Sequence, residues 1–483
     1  MGTVKGPVLL DFSDGAVQWT QSGYRMENLV LTVASPNSGR IFQDLVDKTK
    51  KVADTFSLKI KCYQTVGDSV VVVENCKIRN VWTSTKINGI INEMSKSNLG
   101  PYAPNTKFSY TEAKFLLIEL DNKSLGLKKN NTVVEQLSNH TKNVHLSRGQ
   151  NVYTVYTPFG ANEFINSCSK GCLSNTFKEL LFLIDGRLAP GCEGAPVFTK
   201  ADEKDQEYPI GMVLFPVAMN MDHSSYSLVV PMRTMITTML ESGVYPAPLK
   251  QNQIVPSTLI SSLDENVPIQ GAILNIVAVQ TAAGWGSGIV IGPGLVLTNS
   301  HVIGFGSKSY NPIRVCWANC AVTARVVFCS AATSVLDIAL LEYNKAVGTT
   351  GILFSNKPVE KGQHVIALGH PLHAKQTMPS ISKGIILNYY EGSVGFTTSC
   401  IINAGSSGGA IVREDGTLIG IVVGIINAGT CPYPEMNVCI SATLFEKPLL
   451  MYQSTGDADH WKALLSYEDP WLKALHSLRK CKY

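Results

Sequence analysis

Short apolar runs separated by Gly, Pro, Asn and Ser dominate the chain. In the first half they include LVLTVAS, VVVENCKI, FLLIEL, ELLFLI and PIGMVLFPV, and in the second half AILNIVAVQ, SGIVIG, LVLTNSHVI, DIALLEY, HVIALG and LIGIVVGII. Strands of this length with frequent turns are typical of β-barrels and sandwiches. The pattern therefore predicts an all-β fold for most of the 483 residues.

Two changes of pattern divide the chain. The polar, proline-bearing stretch APLKQNQIVPSTLISS predicts a linker over residues 247–262, between domains at 1–246 and 263–445. From 446 to 483 the apolar positions fall at roughly helical spacing, which predicts a short helical C-terminal tail that Pro470 divides into two helices. The apolar positions of the tail are Trp461, Leu464, Leu465, Trp471, Leu472, Leu475 and Leu478.

The two halves repeat each other weakly, and the matching segments come in the same order. The matches are LVLTVAS (29–35) with LVLTNSH (295–301), KFLLIEL (114–120) with DIALLEY (337–343), PGCEGAPVF (190–198) with AGSSGGAIV (404–412), and PIGMVLF (209–215) with LIGIVVG (418–424). Each match alone means little, but four in one order indicate an internal duplication.

Composition mainly excludes function classes. The net charge is only +4 and no basic stripe stands out, which argues against nucleic-acid binding. No apolar run reaches 18 residues and the N-terminus lacks a signal-peptide core, so neither a membrane span nor secretion is expected. The twelve Cys then read as reduced thiols. Cys168/Cys172 and Cys316/Cys320 each lack a second pair, so no metal or other cofactor is expected.

The glycine-rich loop NAGSSGGAI, residues 403–411, permits two interpretations. One is an ordinary Gly/Ser turn between strands. The other is a nucleophile loop, in which Ser407 attacks and the backbone N–H groups of Gly405 and Ser407 form an oxyanion hole.

Two upstream residues favour the second interpretation. His301 follows a predicted strand and suits a general base, and Asp337 precedes DIALLEY, where its carboxylate can orient the imidazole. The order His…Asp…Ser is that of the chymotrypsin group. The histidines after Asp337, namely His364, His370 and His373, are expected at the surface or at a pocket edge.

Residues 271–444 resemble the trypsin-like domain of the HtrA/Deg serine proteases, through GSGIVIGPGLVLTNSHVI, DIALLEY and NAGSSGGAIV. The resemblance implies two tandem trypsin-like double β-barrel domains, the second with a triad of His301, Asp337 and Ser407. No PDZ domain is expected, because only about 40 helical residues follow. This argues against ordinary HtrA quality control.

The first half has the same motifs without the triad. Ser35 stands at the His position, Lys114 at the Asp position and Glu193 at the Ser position. The neighbouring Cys192 is a rival nucleophile, but it lies one place too early and precedes Glu instead of Gly. The first domain is therefore expected to be a degenerate copy that serves dimerisation, regulation or substrate docking.

A duplicated chain whose first copy carries PGCEGAPV resembles the peroxisomal leader-peptide-processing proteases. The resemblance implies protein substrates, namely leader-bearing precursors of the peroxisomal matrix, and a peroxisomal location. The ending Cys481-Lys482-Tyr483 fits a peroxisomal address, read by an import receptor, at its first two positions but not at Tyr483. The alternatives are a Deg-type quality-control protease elsewhere or a non-catalytic binding scaffold.

Specificity is partly readable. In the chymotrypsin layout the base of the primary pocket lies six residues before the nucleophile, at Ile401, and no Asp stands there to bind Arg or Lys. Cys400 and Ile401, with Val423 and Gly424 on the strand that follows, predict a small apolar pocket for a residue such as Cys, Ala or Val.

Overall fold

Turns rich in Gly, Pro and Asn cut this chain into short strands, which pair antiparallel throughout the computed structural model. The model describes residues 5–13, 18–26, 28–34, 59–66, 69–74, 76–96, 99–101, 112–120, 146–178, 180–200, 207–219, 222–242, 269–282, 284–304, 312–345, 350–372, 378–428 and 431–479. The chain divides into two compact units, Met1–Ser261 and Ser262–Tyr483. The predicted linker 247–262 lies outside the described residues.

The first unit opens with a seven-stranded sheet in the order β5-β4-β1-β2-β3-β8-β6. Its core is formed by apolar side chains such as Leu10, Phe12 and Leu116, all fully buried. Helix α1 (Thr85–Ser95) follows β6 and is capped by the Ser84 hydroxyl. The first eight strands are β1 (Lys5–Ser13), β2 (Gln18–Met26), β3 (Leu29–Val33), β4 (Lys59–Val66), β5 (Ser69–Val73), β6 (Lys77–Thr83), β7 (Leu99–Pro101) and β8 (Lys114–Glu119).

A second sheet of this unit has the order β12-β9-β10-β11-β14-β13, which the pairing of β12 with β13 closes, and β7 adds to β13. Helix α2 (Met232–Glu241) follows β14. The strands are β9 (Asn151–Tyr156), β10 (Ser167–Phe177), β11 (Leu181–Ile184), β12 (Pro196–Lys200), β13 (Glu207–Met219) and β14 (Asp222–Pro231). Short 3-10 turns at Pro158–Gly160 and Asn162–Phe164 follow β9.

The second unit contains two closed six-stranded barrels, β15-β16-β17-β20-β19-β18 and β21-β22-β23-β26-β25-β24. Helix α3 (Gln270–Leu274) precedes the first, and helix α4 (Ser300–Ile303) follows β17. Closure leaves neither sheet with an unpaired edge. The strands are β15 (Ile276–Thr281), β16 (Gly284–Gly292), β17 (Leu295–Thr298), β18 (Ile313–Cys316), β19 (Ala321–Cys329), β20 (Ala339–Glu342), β21 (His364–Gly369), β22 (Ser380–Tyr389), β23 (Gly395–Thr398), β24 (Ala410–Val412), β25 (Leu418–Ala428) and β26 (Cys431–Ser441).

The predicted helical tail is confirmed. It consists of α5 (Thr443–Thr455), α6 (Asp459–Lys462), a 3-10 turn at Ala463–Ser466 and α7 (Pro470–Arg479), which begins at Pro470. Trp461 is fully buried and stacks on Phe445, with ring centroids 6.3 Å apart. Leu465 and Leu478 are about half exposed, so only part of the predicted apolar stripe faces the protein. No helix in the described ranges is long and apolar enough to cross a membrane.

The two units repeat the same strand register around the motifs that matched in sequence. β3 pairs with β8 so that Leu29 lies opposite Glu119, and β17 pairs with β20 so that Leu295 lies opposite Glu342. Counting back five residues from each Glu reaches Lys114 and Asp337, the pair that the sequence alignment equated. The all-β prediction with tandem trypsin-like barrels is therefore confirmed, with both sheets of the second unit and the second sheet of the first unit closed. The first sheet of the first unit differs, because its described strands do not close into a barrel.

Candidate active site

His301 and Asp337 are in direct polar contact just after β17. The His301 Nδ1 and Asp337 Oδ2 atoms are 2.6 Å apart, and Asp337 Oδ1 accepts the His301 backbone N–H at 3.1 Å. The Asp337 side chain is 6% exposed and that of His301 is 31% exposed. The buried carboxylate thus holds the Nδ1 edge of the imidazole, and the ring is still partly exposed to solvent. A general base requires this arrangement.

Two residues before His301 secure this contact, and the sequence motif alone did not assign them a role. Asn299 Nδ2 donates to the Asp337 carbonyl oxygen at 2.7 Å. The Ser300 hydroxyl lies 2.7 Å from that of Ser330, whose own hydroxyl accepts the Ile338 N–H. The segment Asn-Ser-His therefore binds the start of the β20 segment along its whole length, which explains why its small polar residues are adjacent.

The glycines of the loop that carries Ser407 are required by close approach. Gly405 has φ +94°, and a Cβ there would lie 2.3 Å from both the His370 carbonyl oxygen and Trp285 Nε1. Gly408 has φ +84°, and a Cβ there would lie 2.1 Å from the Ser287 carbonyl oxygen. Only glycine fits such positions, so the loop needs glycine at both to pack closely against Trp285 and Ser287 of β16.

Ser407 lies at the apex of this loop. Its hydroxyl donates to the Val423 carbonyl oxygen at 3.2 Å, and its carbonyl oxygen accepts the Ser287 N–H at 2.7 Å. The N–H groups of Gly405 and Ser407 donate to no residue in the described ranges. These two predicted oxyanion-hole donors are thus available for a ligand oxygen.

β16 brings the Ser407 loop next to the helix of His301. A Cβ at Gly286 would lie 2.6 Å from Val302 Cγ2 and 3.0 Å from the Ser407 carbonyl oxygen. Because Val302 follows His301 directly, the backbone of Gly286 is all that separates the two elements there. The structure thus joins His301 to Asp337 directly, and places the Ser407 loop and the His301 helix on either side of Gly286. The described contacts of the Ser407 hydroxyl are with Val423 and not with His301.

Two of the predicted pocket residues, Cys400 and Ile401, precede the loop, and the other two, Val423 and Gly424, lie on β25. Ile401 and Val423 are buried, and Gly424 is half-buried. The Cys400 side chain instead belongs to the barrel core that includes Ile402, so Cys400 does not carry the pocket prediction. Sequence reasoning missed Asn437, a fully buried amide that donates to the Cys400 carbonyl oxygen at 2.7 Å and accepts from the Thr398 hydroxyl at 2.6 Å.

The expectation for His370 was wrong. It is 2% exposed, and its Nδ1 has no hydrogen-bond partner among the described residues. Its backbone is held at both ends, because the Ser287 hydroxyl accepts its N–H and Trp285 Nε1–H donates to its carbonyl oxygen. Burial lowers the pKa of His370 to about 4. His364 is exposed at the start of β21, as expected, and His373 lies outside the described residues.

This burial predicts a pH dependence of stability. The unfolded chain takes up a proton at His370 below about pH 6.5, whereas the folded protein does so only near pH 4. The free energy of unfolding should therefore fall as pH is lowered through this window, by up to about 3 kcal/mol from this group. Denaturant titrations at several pH values should show a shallower fall for His370→Gln. His364→Gln, at an exposed site, is the matched control, and equal slopes for both variants would contradict the assignment.

In the first unit Glu193 stands at the position of Ser407, and its side chain accepts a hydrogen bond from its own loop. The Ser22 N–H donates to the Glu193 carbonyl oxygen at 3.0 Å, as the Ser287 N–H does to Ser407. Glu193 is 2% exposed, and its carboxylate accepts the Gly191 N–H at 3.2 Å. Burial raises the pKa of this carboxyl, and the N–H donors partly oppose the shift. A side-chain carboxylate thus fills the place that an oxyanion would take.

The other first-unit positions also lack the triad chemistry. Lys114 is buried where Asp337 stands in the second unit, and Ser35 lies outside the described residues. The Ala195 N–H donates to the Cys192 carbonyl oxygen, just as the Gly409 N–H does to Ser406, so Cys192 aligns with Ser406. Burial raises the pKa of the Cys192 thiol, which keeps it protonated and argues against a Cys nucleophile.

Barrels, loop and polar pair together define a trypsin-like domain. Residues 286–421, within the second unit, match the family model described as trypsin-like peptidase domain. Over 331 residues the chain is 27% identical to the peroxisomal leader peptide-processing protease of Mus musculus, covering 64% of this chain and 56% of that protein. The chain thus spans about half the length of this curated relative.

Two further comparisons concern bacterial proteins. Over 150 residues the chain is 35% identical to a probable periplasmic serine endoprotease, DegP-like, of Buchnera aphidicola, covering 29% of this chain and 30% of that protein. The crystal structure of the serine endoprotease from Yersinia pestis is 26% identical with a TM-score of 0.33, covering 40% of this chain and 68% of that one.

Proposed function

We propose that this chain is a serine endopeptidase whose reaction is carried out in the second unit by Ser407, His301 and Asp337. The observation that carries the proposal is the 2.6 Å contact between His301 Nδ1 and Asp337 Oδ2, next to a glycine loop with two unpaired N–H donors. The match of residues 286–421 to a trypsin-like peptidase domain supports it. A merely structural turn would not need this set of groups.

In the acylation step, Ser407 Oγ leaves its hydrogen bond to the Val423 carbonyl oxygen and attacks the carbonyl carbon of the scissile peptide. Its proton passes to His301 Nε2, and Asp337 stabilises the imidazolium through Nδ1. The carbonyl oxygen of the scissile peptide gains negative charge and accepts hydrogen bonds from the N–H groups of Gly405 and Ser407. His301 then donates its proton to the leaving amine, the C–N bond breaks, and an ester on Ser407 remains.

Deacylation repeats the same steps with water. His301 Nε2 removes a proton from the water as its oxygen attacks the ester carbon, and the same two N–H groups bind the second oxyanion. The ester bond breaks and His301 returns the proton to Ser407 Oγ. Every proton transfer and bond change in these two steps is carried by Ser407, His301 and the attacking water, with Asp337 and the two amides stabilising charge.

The substrates proposed are leader-bearing precursors of the peroxisomal matrix, and the proposed location is the peroxisome. The support is the likeness to a protein named peroxisomal leader peptide-processing protease. Self-association of the chain and recognition of Cys481-Lys482-Tyr483 by an import receptor belong to the same proposal. Residues 480–483 lie outside the described residues.

The pocket supports a small apolar residue before the scissile bond. Buried Ile401 stands where an acidic residue would select Arg or Lys, and buried Val423 lies next to Ser407, whose hydroxyl bonds its carbonyl oxygen. We expect cleavage of a peptide library to favour Cys, Ala or Val at this position. Mass-spectrometric profiling checks this, and a preference for basic residues would contradict it.

The proposal as a whole is tested by incubating the purified full chain with a leader-bearing peroxisomal precursor. The expected result is one cut at the leader junction, with the matrix domain left intact. Degradation of unfolded proteins without selective leader removal would favour a quality-control protease. Binding of the precursor without any cut would favour a scaffold and would contradict the enzyme.

A further inference from the structure

Leu372 adopts a backbone conformation that is rare for its residue type, next to the proposed oxyanion hole. It is fully buried and has φ +72°, in the left-handed region that Leu seldom occupies. In this conformation its N–H donates to the Ala404 carbonyl oxygen at 2.9 Å. The strained residue thus makes one specific contact, with the peptide that precedes Gly405.

That contact fixes the direction of an oxyanion-hole donor. In a trans peptide the C=O of one residue and the N–H of the next point in opposite directions, and the described residues contain no cis peptide bond. Holding the Ala404 carbonyl toward Leu372 therefore aims the Gly405 N–H away from Leu372. Rotation of this one peptide would exchange the donor for an acceptor and abolish the hole.

The first unit repeats the device and shows what it achieves. Phe159, which also follows a Pro, has φ +58°, and its N–H donates to the Pro190 carbonyl oxygen at 2.6 Å. The next N–H, that of Gly191, donates to the Glu193 carboxylate at 3.2 Å. An oxygen of the Glu193 carboxyl group therefore already accepts from the donor that this contact orients.

The surrounding contacts hold the arm that carries Leu372. The Trp285 Nε1–H donates to the His370 carbonyl oxygen at 3.1 Å. The Ser287 hydroxyl accepts the His370 N–H at 2.8 Å and donates to the Gly405 carbonyl oxygen at 2.7 Å. The arm and the nucleophile loop are thus tied together on both sides of the Ala404–Gly405 peptide.

From these contacts we infer that Leu372 is the positioning residue of the oxyanion hole, and that its left-handed backbone keeps the Gly405 N–H directed at the reacting carbonyl. The inference rests on the proposed endopeptidase function. Its distinctive consequence is that β-branching at position 372, which disfavours the left-handed region, should impair stabilisation of the oxyanion more than binding of the substrate.

The test compares Leu372→Ile with Leu372→Met in the full chain. Both variants keep the buried volume nearly constant, but only Ile opposes the left-handed backbone. Leu372→Ile should lower kcat about 10²-fold, with KM within about twofold, and should weaken binding of a peptidyl boronic acid by a similar factor. Leu372→Met should stay within about threefold of the wild type. Phe159→Ile imposes the same backbone demand in the first unit and should leave kcat unchanged.

The outcomes separate this inference from the proposed function. Wild-type protein that cleaves no peptide would contradict the endopeptidase proposal. An active wild type with an equally active Leu372→Ile, or with equal losses in the Ile and Met variants, would overturn only the role of Leu372. If Leu372→Ile does not fold, a backbone ester at residue 372 removes the N–H donor and keeps the side chain. The same loss of kcat and boronate affinity is then expected, and an unchanged kcat would overturn the inference.

Discussion

Replacing Ser407 with Ala should abolish peptide cleavage. The substitution removes the only atom proposed to bond to substrate, together with its 3.2 Å hydrogen bond to the Val423 carbonyl oxygen. The loop should stay intact, because the Ser287 N–H donates to the Ser407 backbone carbonyl and Gly408 and Gly409 bond Val422 through their backbones. In other serine proteases loss of the nucleophile lowers kcat by about 10⁶-fold. A fluorogenic peptide with a small apolar residue before the scissile bond should show a rate near background.

The matched control is Glu193→Ala, which makes the equivalent change in the first unit. Glu193 holds the same place in its loop as Ser407, yet its carboxylate only satisfies the Gly191 N–H. We expect kcat of this variant within about twofold of the wild type. Loss of activity in Glu193→Ala together with retained activity in Ser407→Ala would place the reaction in the first unit and contradict Ser407 as the nucleophile.

Asp337→Asn should lower kcat by about 10⁴-fold without disturbing the fold. Asp337 Oδ1 accepts the His301 backbone N–H, so an Asn at this position will keep its amide oxygen there and turn its NH₂ toward His301 Nδ1. The ring then carries its proton on Nε2, where it cannot accept one from Ser407. Steady-state kinetics should show the loss in kcat, with KM little changed.

Asp469→Asn controls for the cost of an isosteric change at a buried carboxylate. Asp469 is 3% exposed and accepts hydrogen bonds from the Ser393 hydroxyl and the Val394 N–H, in the contact between the tail and the second barrel. Its variant should lose stability but keep kcat. Equal losses of kcat in the two variants would mean that Asp337 acts through the fold and not through His301.

The triad and its loop could be predicted from the sequence because each part is a local motif. His301 follows a strand, Asp337 precedes one, and Ser407 lies in the glycine pattern G-x-S-G-G. The order His…Asp…Ser is that of the chymotrypsin group, and the internal repeat aligned Glu193 with Ser407, whose carbonyl oxygens accept the equivalent N–H groups of Ser22 and Ser287. The fold class followed from the same strand-length pattern.

The residues that the sequence did not reveal act through contacts between distant segments. Trp285 and Leu372 belong to none of the quoted motifs, and Ser287 lies in one without a role that the motif reveals. Trp285 and Ser287 act by bonding residues 85 and 118 positions away, and Leu372 by bonding Ala404 in another loop. Burial of His370 was missed for the same reason. A polar residue between Gly and Pro at a strand end is usually exposed, whereas distant Trp285 and Ser287 bond the His370 backbone and its side chain is 2% exposed. Helical periodicity also predicted more buried apolar positions in the tail than the structure has, because Leu465 and Leu478 are about half exposed.

The central claim is that one copy of a duplicated fold kept the reaction and the other kept only the scaffold. Its most direct test is labelling of the full chain with a peptidyl phosphonate that traps nucleophilic serines, followed by peptide mapping. A single adduct on Ser407, absent in Ser407→Ala and with none in residues 1–261, is the predicted result. An adduct on the first unit, or labelling that survives Ser407→Ala, would contradict the account.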